Sequence, residues 1–376
     1  MIRRETITPR DNWKQTAKKI GYNYFDNGNG TFAWNESNCY VVSRDTLKDI
    51  KMVSEQLHVM CIEVVQKYKN DLEIFQIPSI MRDYVRDSIS QPFLIGRFDF
   101  AYTSSGLKMI EYNADTPATI PESTRMMKTW IKECVPFRNK FYSYKSILSE
   151  KNIVVELLRN RKCASGNTIC VVPYPDCVED KTHAVYWKYY AKVAGWNVIE
   201  SEIKDLRLDS SGNFISNGNK IDSILKMYPW EFMLREKGNV NLYRNKCIFF
   251  NPVWTSMISN KILLAILWKE YRGHPNLIPC YFDNNGMDSY VEKPIHSRGG
   301  ENIKIIENGL IEQCPGSYGK YDKVYQEKVN TRHIDDCVST SVGAWIVGKD
   351  FSGITFREDI SNIIRNDSPI VPHYIG

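Results

Sequence analysis

Between Gly96 and Glu122 the chain reads GRFDFAYTSSGLKMIEYNADTPATIPE, and four of its side chains, Arg97, Asp99, Glu111 and Asn113, suit anion and metal chemistry. Residues 93–102 and 107–115 both alternate apolar and polar around Ser104-Ser105-Gly106, the pattern of a β-hairpin with a three-residue loop. Gly106 stands where such loops need a left-handed residue. With Thr103 and Leu107 closing the loop, Asp99 faces Glu111 and Arg97 faces Asn113. All four then share one face, while Phe98, Phe100, Ile110 and Tyr112 share the apolar one. Two opposed carboxylates about 5 Å apart repel by roughly 3 kcal/mol at an effective dielectric near 20, which requires a cation between them. Asp, Glu and an Asn carbonyl are hard oxygen ligands suited to Mg²⁺, and Arg97 beside them suits a phosphate or acyl-phosphate oxygen. A solvated polar face accounts for the same alternation.

Other charged positions follow along the chain. Glu179 and Asp180 fall where the strand NTICVVPY hands over to the helix VEDKTHAVYWKYYAKVAGW, ended by Gly195 and followed by the strand NVIES. Ligands bind at such junctions in open α/β sheets, and a favourable charge effect at a helix N-terminus explains the pair equally. Lys226 and Glu231 bracket an aromatic patch in DSILKMYPWEF. Lys261 stands near the start of the amphipathic helix ISNKILLAILWKEY, and Lys293 closes the strand DSYVEKPI. In the following HSRGGENIKII, Gly299 and Gly300 would let the backbone approach a phosphate chain while Arg298 adds charge, although paired glycines in a hairpin are commonly just a turn. Arg357, flanked by Glu358 and Asp359, is delivered by a hairpin over GAWIVGKDFSGITFRED, and a structural ion pair is its other reading. In FDNGNGTFAW and just beyond, the candidates are Trp34 and Glu36, with Trp34 read as an exposed aromatic packing its own loop.

Two lysines, three arginines, a Gly-Gly loop and three oxygen ligands are an inventory for a nucleoside triphosphate with Mg²⁺. The chain has neither GxxxxGK[ST] nor a kinase-type glycine-rich loop, which leaves folds that hold ATP between two antiparallel sheets with scattered lysines. The positioning elements are a helix from Ser43 to about Lys69 with apolar residues Ile50, Val53, Leu57, Met60 and Val64, a helical stretch around 77–87, and a helix from Pro121-Glu122 to Cys134. The loop NADTPAT feeding that last helix would offer free N–H groups to an anion. At 376 residues the chain exceeds a single core, which stops growing near roughly 300 residues, so two or three subdomains are expected. The net charge of +5 is spread along the chain with no basic cluster, which argues against nucleic acid. Ten cysteines without CxxC spacing argue against zinc. With no signal-peptide pattern after MIRRETITPR and no apolar run of 18, a reduced, cytoplasmic protein acting on small molecules and no membrane is expected.

The series GRFDF, KMIEYNADTP, KMYPWEF, NPVWTSMISNKILLAILW, HPNLIPCYFD, YVEKPIHSRGGENI, VYQE, GAWIVG, REDI and VPHYI resembles the glutathionylspermidine synthase family of ATP-grasp ligases, in its synthetase-only branch without an amidase domain. The resemblance implies an α+β/α/β fold: one ATP-grasp unit over 1–376, with 1–160 and 250–376 as the ATP-grasp core and 161–249 as an inserted β-α-β substrate subdomain. By the same resemblance Asp99, Glu111 and Asn113 hold Mg²⁺, and Arg97 meets the carboxylate being activated. Lys261 and Lys293 bind ATP phosphates, Arg298 and Arg357 the γ-phosphate, and the backbone of Gln326, Glu327 and Lys328 the adenine. Glu179 and Asp180 occupy the region of the polyamine site, and Thr116 that of the acyl donor.

The implied reaction is an ATP- and Mg²⁺-dependent condensation of glutathione with spermidine through an acyl-phosphate. Thr116-Pro117-Ala118 lacks one of the family's small hydroxyl residues, and SRGGEN lacks an acid directly after its arginine, which leaves the acyl donor open. The alternatives are the same ligase chemistry on another peptide carboxylate and amine, and a non-catalytic nucleotide- or polyamine-binding protein.

Overall fold

In the computed structural model, which describes residues 1–134, 150–161, 166–236, 242 and 245–376, the hairpin forms from Ile95–Thr103 and Gly106–Asn113. Arg97 pairs with Asn113 and Asp99 with Glu111, as the alternation predicts. The loop differs: Thr103 pairs with Gly106, leaving Ser104-Ser105 as a two-residue turn, and the offset is absorbed by a bulge that sets Phe100 opposite Met109. Ile110 is the extra residue. It faces the cavity described below, and Met109 takes its predicted place in the core beside Phe98, Phe100 and Tyr112.

Further strands Ser339–Val347, Asp350–Asp359 and Ile370–Val371 extend the hairpin into a five-stranded antiparallel sheet. Gly343 pairs with Asp99, where a Cβ would come within 2.4 Å of Thr355 Cγ2 and 3.0 Å of Arg97 Cδ, so the glycine makes room for the arginine stem. Behind the sheet lies the helix Arg44–Tyr68, capped by the Ser43 hydroxyl accepting from the Thr46 N–H and burying Ile50, Val53, Leu57, Met60 and Val64. Its His58 hydrogen-bonds the Tyr112 hydroxyl at 2.8 Å. Trp34, expected to be exposed, is buried in an aromatic cluster with Trp13, Tyr22 and Phe25. Its indole N–H donates to Glu36, which is tied to Arg10, so both residues are structural.

A second sheet is parallel, in the order Ile248–Phe250, Ser223–Lys226, Thr168–Val172, Asn197–Glu200. The helix Val178–Val193 joins its last two strands as expected of a β-α-β unit, and Gly195 follows at φ +82°. A third sheet is antiparallel: Cys280–Tyr281, Lys323–Glu327, Ser289–Pro294, Lys304–Glu307 and Leu310–Gln313. Among the described residues no helix is long and apolar enough to cross a membrane. The described cysteines are all free, five of them buried.

Two buried polar contacts fix the hairpin to the parallel sheet. The Asn251 amide accepts from the N–H groups of Leu94 and Ile95 and donates to the carbonyls of Ile95, Ala114 and Asp115, all at 2.7–3.0 Å. Two residues past the hairpin's end, Asp115 meets Lys226 at 2.5 Å and the Trp230 N–H at 2.7 Å, with the ammonium over the Trp230 ring. Replacing Asn251 with Ala strands five buried backbone groups, so we expect a loss of about 3 kcal/mol or more, read as a lowered unfolding midpoint. An unchanged midpoint would show that the joint is held elsewhere.

Candidate functional site

A cavity of about 1060 Å³ opens between the two antiparallel sheets, with loops of the parallel sheet along one side. Arg97, Asp99, Glu111, Asn113, Thr116, Glu179, Asp180, Lys261, Lys293, Arg298, Gln326, Glu327, Lys328 and Arg357 all line it. Tyr24, Asp26 and Glu122, which sequence reasoning did not single out, line it too.

At one end the opposed carboxylates already have cations supplied by the protein itself. Arg97 grips Asp99 with two contacts, at 2.7 and 3.0 Å, and Lys261 meets Glu111 at 3.1 Å. Between the acids, the Asn113 NH₂ donates to Asp99 at 3.2 Å and to Glu111 at 3.0 Å. In this setting Asn113 presents nitrogen where a metal ligand would present oxygen, so a three-oxygen site requires its amide to turn over. Burial opposes the Glu111 charge, yet Lys261, Asn113 and Lys293 hold its pKa down to about 2. Burial raises the pKa of Asp99, although Arg97 pulls it the other way.

Lys261 also donates to the Ser297 carbonyl at 2.8 Å. Lys293 is buried, donates to the Gln326 side-chain oxygen at 2.5 Å and to the Ile110 carbonyl at 3.1 Å, and is pushed down to about 8 by that burial. Gln326 thus supports a lysine with its side chain. The N–H groups of Glu327 and Lys328 are taken by the carbonyls of Pro279 and Ser289, so the expected adenine-reading backbone has committed these donors within the protein.

Arg298 is held by Glu231 through three contacts at 3.0–3.2 Å and donates to the Thr116 hydroxyl at 2.7 Å. Glu231, read from the sequence only as the border of an aromatic patch, is therefore what aims this arginine. The paired glycines serve packing: a Cβ on Gly300 would lie 2.6 Å from the Ile364 carbonyl, and one on Gly299 2.7 Å from Asn366 Cβ. It is the 363–366 loop that the glycine backbone approaches. Arg357 makes no ion pair with its flanking acids; Glu358 pairs with Arg4 and Asp359 with Arg365. Its Nη2 donates to the carbonyls of Arg365, Asn366 and Ser368, and its buried Nε has no partner.

Opposite lies an acidic end. Glu179 and Asp180 enter from the first turn of the Val178–Val193 helix, and Glu122 from the helical stretch after the NADTPAT loop. Burial, with Glu179 beside them, pushes both Glu122 and Asp180 up to about 7. A helix N-terminus alone lowers a carboxyl pKa, so at Asp180 burial and the neighbouring Glu179 outweigh the helix effect. His183 joins the two elements: its Nε2 accepts from the N–H groups of Thr119 at 3.0 Å and Ile120 at 3.4 Å, and its Nδ1 bonds the Glu179 carbonyl at 2.9 Å. Those two N–H groups, expected to be free for an anion, are thereby occupied. No local pattern marked His183, because the two N–H groups it accepts from lie more than sixty residues away.

The acidic end has a signature in stability. Glu122 and Asp180 have raised pKa values in the folded chain, so the stability they contribute is full below about pH 4 and is lost as pH rises through about 7. Glu179→Gln removes the charge facing both. It should raise the ligand-free unfolding midpoint near about pH 8, by about 1 kcal/mol, and do little near about pH 5. Equal effects at both pH values in thermal unfolding would contradict this repulsion.

Comparison with known proteins adds the lineage. Over 97% of both chains, the sequence is 29% identical to a Haemophilus influenzae protein provisionally named an acid–amine ligase. It is 24% identical to the bifunctional glutathionylspermidine synthetase/amidase of Escherichia coli and 27% identical to trypanothione synthetase of Crithidia fasciculata. These matches cover 89% and 84% of this chain but 58% and 53% of the two larger proteins. A glutathione synthetase-like effector of Globodera pallida shares the fold, with a TM-score of 0.58 over 96% of each chain at 9% identity. Residues 4–376 match the family model described as glutathionylspermidine synthase preATP-grasp, and the chain belongs to that family.

Proposed function

We propose that this protein joins a carboxylate to an amine at the expense of ATP, through an acyl-phosphate. The chain is an acid–amine ligase, in keeping with the named activities of its relatives. One observation carries the reading: a single cavity has lysines and arginines from several elements around paired acids at one end and a cluster of unneutralised acids at the other. An ATP-grasp arrangement follows, with ATP between the antiparallel sheets, residues 1–160 and 250–376 as its core and 161–249 as the substrate-side unit.

Asp99, Glu111 and Asn113 fit Mg²⁺ by donor type, since the acids face each other across a strand pair and only an amide lies between them. When bound, the metal would neutralise phosphate charge. On this reading ATP draws Lys261 away from Glu111 and engages Lys293, while Arg298 and Arg357 hold the γ-phosphate. Arg97 meets the substrate carboxylate and then the acyl-phosphate. The segment Gln326 to Lys328 borders the adenine, and Thr116 the acyl donor. Positioning and fixed charge perform the chemistry, so no nucleophilic side chain is needed.

Glutathione and spermidine are the proposed acid and amine. A polyamine is polycationic, and among the described residues Glu179, Asp180 and Glu122 have no lysine or arginine ion-pair partner, His183 at 3.9 Å from Asp180 being the one basic group within ion-pair distance. Free cysteines fit a reducing, cytoplasmic compartment.

The test is mass spectrometry of a reaction holding the protein, ATP, Mg²⁺, glutathione and spermidine, with ADP followed in parallel. A product at the summed mass less one water, with ADP, supports the full reading. ADP without it moves the search to other acids and amines, and neither signal rejects the ligase. Asp99→Asn and Glu111→Gln should each lower ADP release by about 100-fold or more while the unfolding midpoint stays within a few degrees. Undiminished turnover in either variant would remove the metal assignment.

A further inference from the structure

Glu122 is a buried acid that packing does not explain. The residue is 1% exposed; Oε1 accepts from the Tyr24 hydroxyl at 2.8 Å, and Oε2 is buried with no hydrogen-bond partner among the described residues. Such an oxygen costs about 1–3 kcal/mol, more when charged, until a donor arrives. The charged and titratable groups around it are Glu179 from the Val178–Val193 helix, Tyr22 and Tyr24 from the N-terminal segment, and Arg97 and Arg357 from the hairpin sheet. The Tyr22 hydroxyl faces Glu122 closely enough to favour its charge, but it lacks hydrogen-bond geometry and is itself unpartnered.

Position gives the empty oxygen a meaning. Glu122 lines the same cavity as Arg97 and Arg357, and its charge acts on both arginines. On the ligase reading, a carbonyl activated against these arginines shares the cavity with Glu122 and with Glu179, the acids proposed to receive the amine. Amines arrive protonated at neutral pH and are not nucleophiles until a proton leaves.

We propose that Glu122 is the catalytic base of amide formation, its free carboxylate oxygen taking a proton from the attacking amine. This rests on the ligase reading above. The amine enters as an ammonium ion and gives one proton to Glu122, and the nitrogen lone pair forms the C–N bond. The acyl C–O bond to phosphate breaks with its electron pair leaving on phosphate, and the second proton goes to that phosphate, giving hydrogen phosphate. Of the three ammonium hydrogens, one remains on the amide, one is on Glu122 and one is on phosphate, and the charges balance. Glu122 then returns its proton to solvent. The Tyr24 hydroxyl fixes the carboxylate, and a pKa near 7 suits proton acceptance at neutral pH.

The experiment compares two acceptors on the full chain, with ATP, Mg²⁺ and glutathione: spermidine, which must be deprotonated, and hydroxylamine, already uncharged at neutral pH. Glu122→Gln keeps the shape and the Tyr24 contact. At saturating spermidine it should lower the amide rate by about 100-fold or more and abolish a rise in the wild-type amide rate through about pH 7, with a smaller loss of hydroxamate; a loss confined to the KM for spermidine would make Glu122 a binding acid only and overturn the proposal. Glu122→Asp, which retains a carboxylate, should recover part of the amide rate. Equal losses on both acceptors, or an undiminished spermidine product, would overturn the proposal. A wild-type chain that releases no ADP with either acceptor would overturn the ligase reading and this inference with it, a failure seen before any variant is compared.

Discussion

The amide of Asn251 is the contact on which the geometry of the cavity depends. Five hydrogen bonds from one buried side chain reach both ends of the hairpin, where the main chain leaves the sheet and would otherwise have unpaired groups. Asp115 and Lys226, fully buried beside it, bind the same place by charge. Such a pair is weak evidence for net stability but costly to break, and here it fixes the angle between the hairpin and the parallel sheet. Because Arg97, Asp99, Glu111 and Asn113 are carried by the hairpin and Glu179 and Asp180 by the helix of the parallel sheet, that angle sets the span of the cavity.

Within the cavity the ligand-free chain satisfies its own charges at one end only. Arg97 on Asp99 and Lys261 on Glu111 neutralise the opposed acids. On the proposed reading a phosphate ligand would compete for these cations and a divalent ion would compensate the acids they leave, which would couple nucleotide and metal binding. At the other end, among the described residues, Glu122 and Asp180 have no lysine or arginine ion-pair partner, and burial, with Glu179 beside them, raises their carboxyl pKa values. Such an arrangement is unfavourable until a ligand brings positive charge.

Supports, more than contacts, distinguish the site from a collection of charged residues. Glu231 aims Arg298, Gln326 holds Lys293, and His183 ties the Thr119 loop to the helix bearing the acids. Each is a fixed partner at hydrogen-bond distance from a cavity-lining group. Gly343 contributes by its lack of a side chain, which leaves the Arg97 stem its path.

Much of this was legible in the residues. Alternation of apolar and polar positions placed Arg97, Asp99, Glu111 and Asn113 on one face, because side-chain direction in a strand is local. The Ser43 cap and the β-α-β unit were legible for the same reason. The bulge that sends Ile110 into the cavity and Met109 into the core was not, since a register shift is decided by which residue fits the core on folding. Nor could the chain order reveal that Arg357 ignores its flanking acids, that the glycines pack on the 363–366 loop, or that Trp34 is buried. Glu122 and His183 escaped notice, and Glu231 was seen only beside its aromatic patch, because the contacts that matter, with Tyr24, Thr119 and Arg298, are distant in sequence. The sequence alone therefore determined the family and the chemical inventory, which depend on residue identity and spacing. Only tertiary structure decided which charges are already neutralised and which face the cavity unpaired, because burial and ion pairing are properties of residues brought together from far apart in the chain.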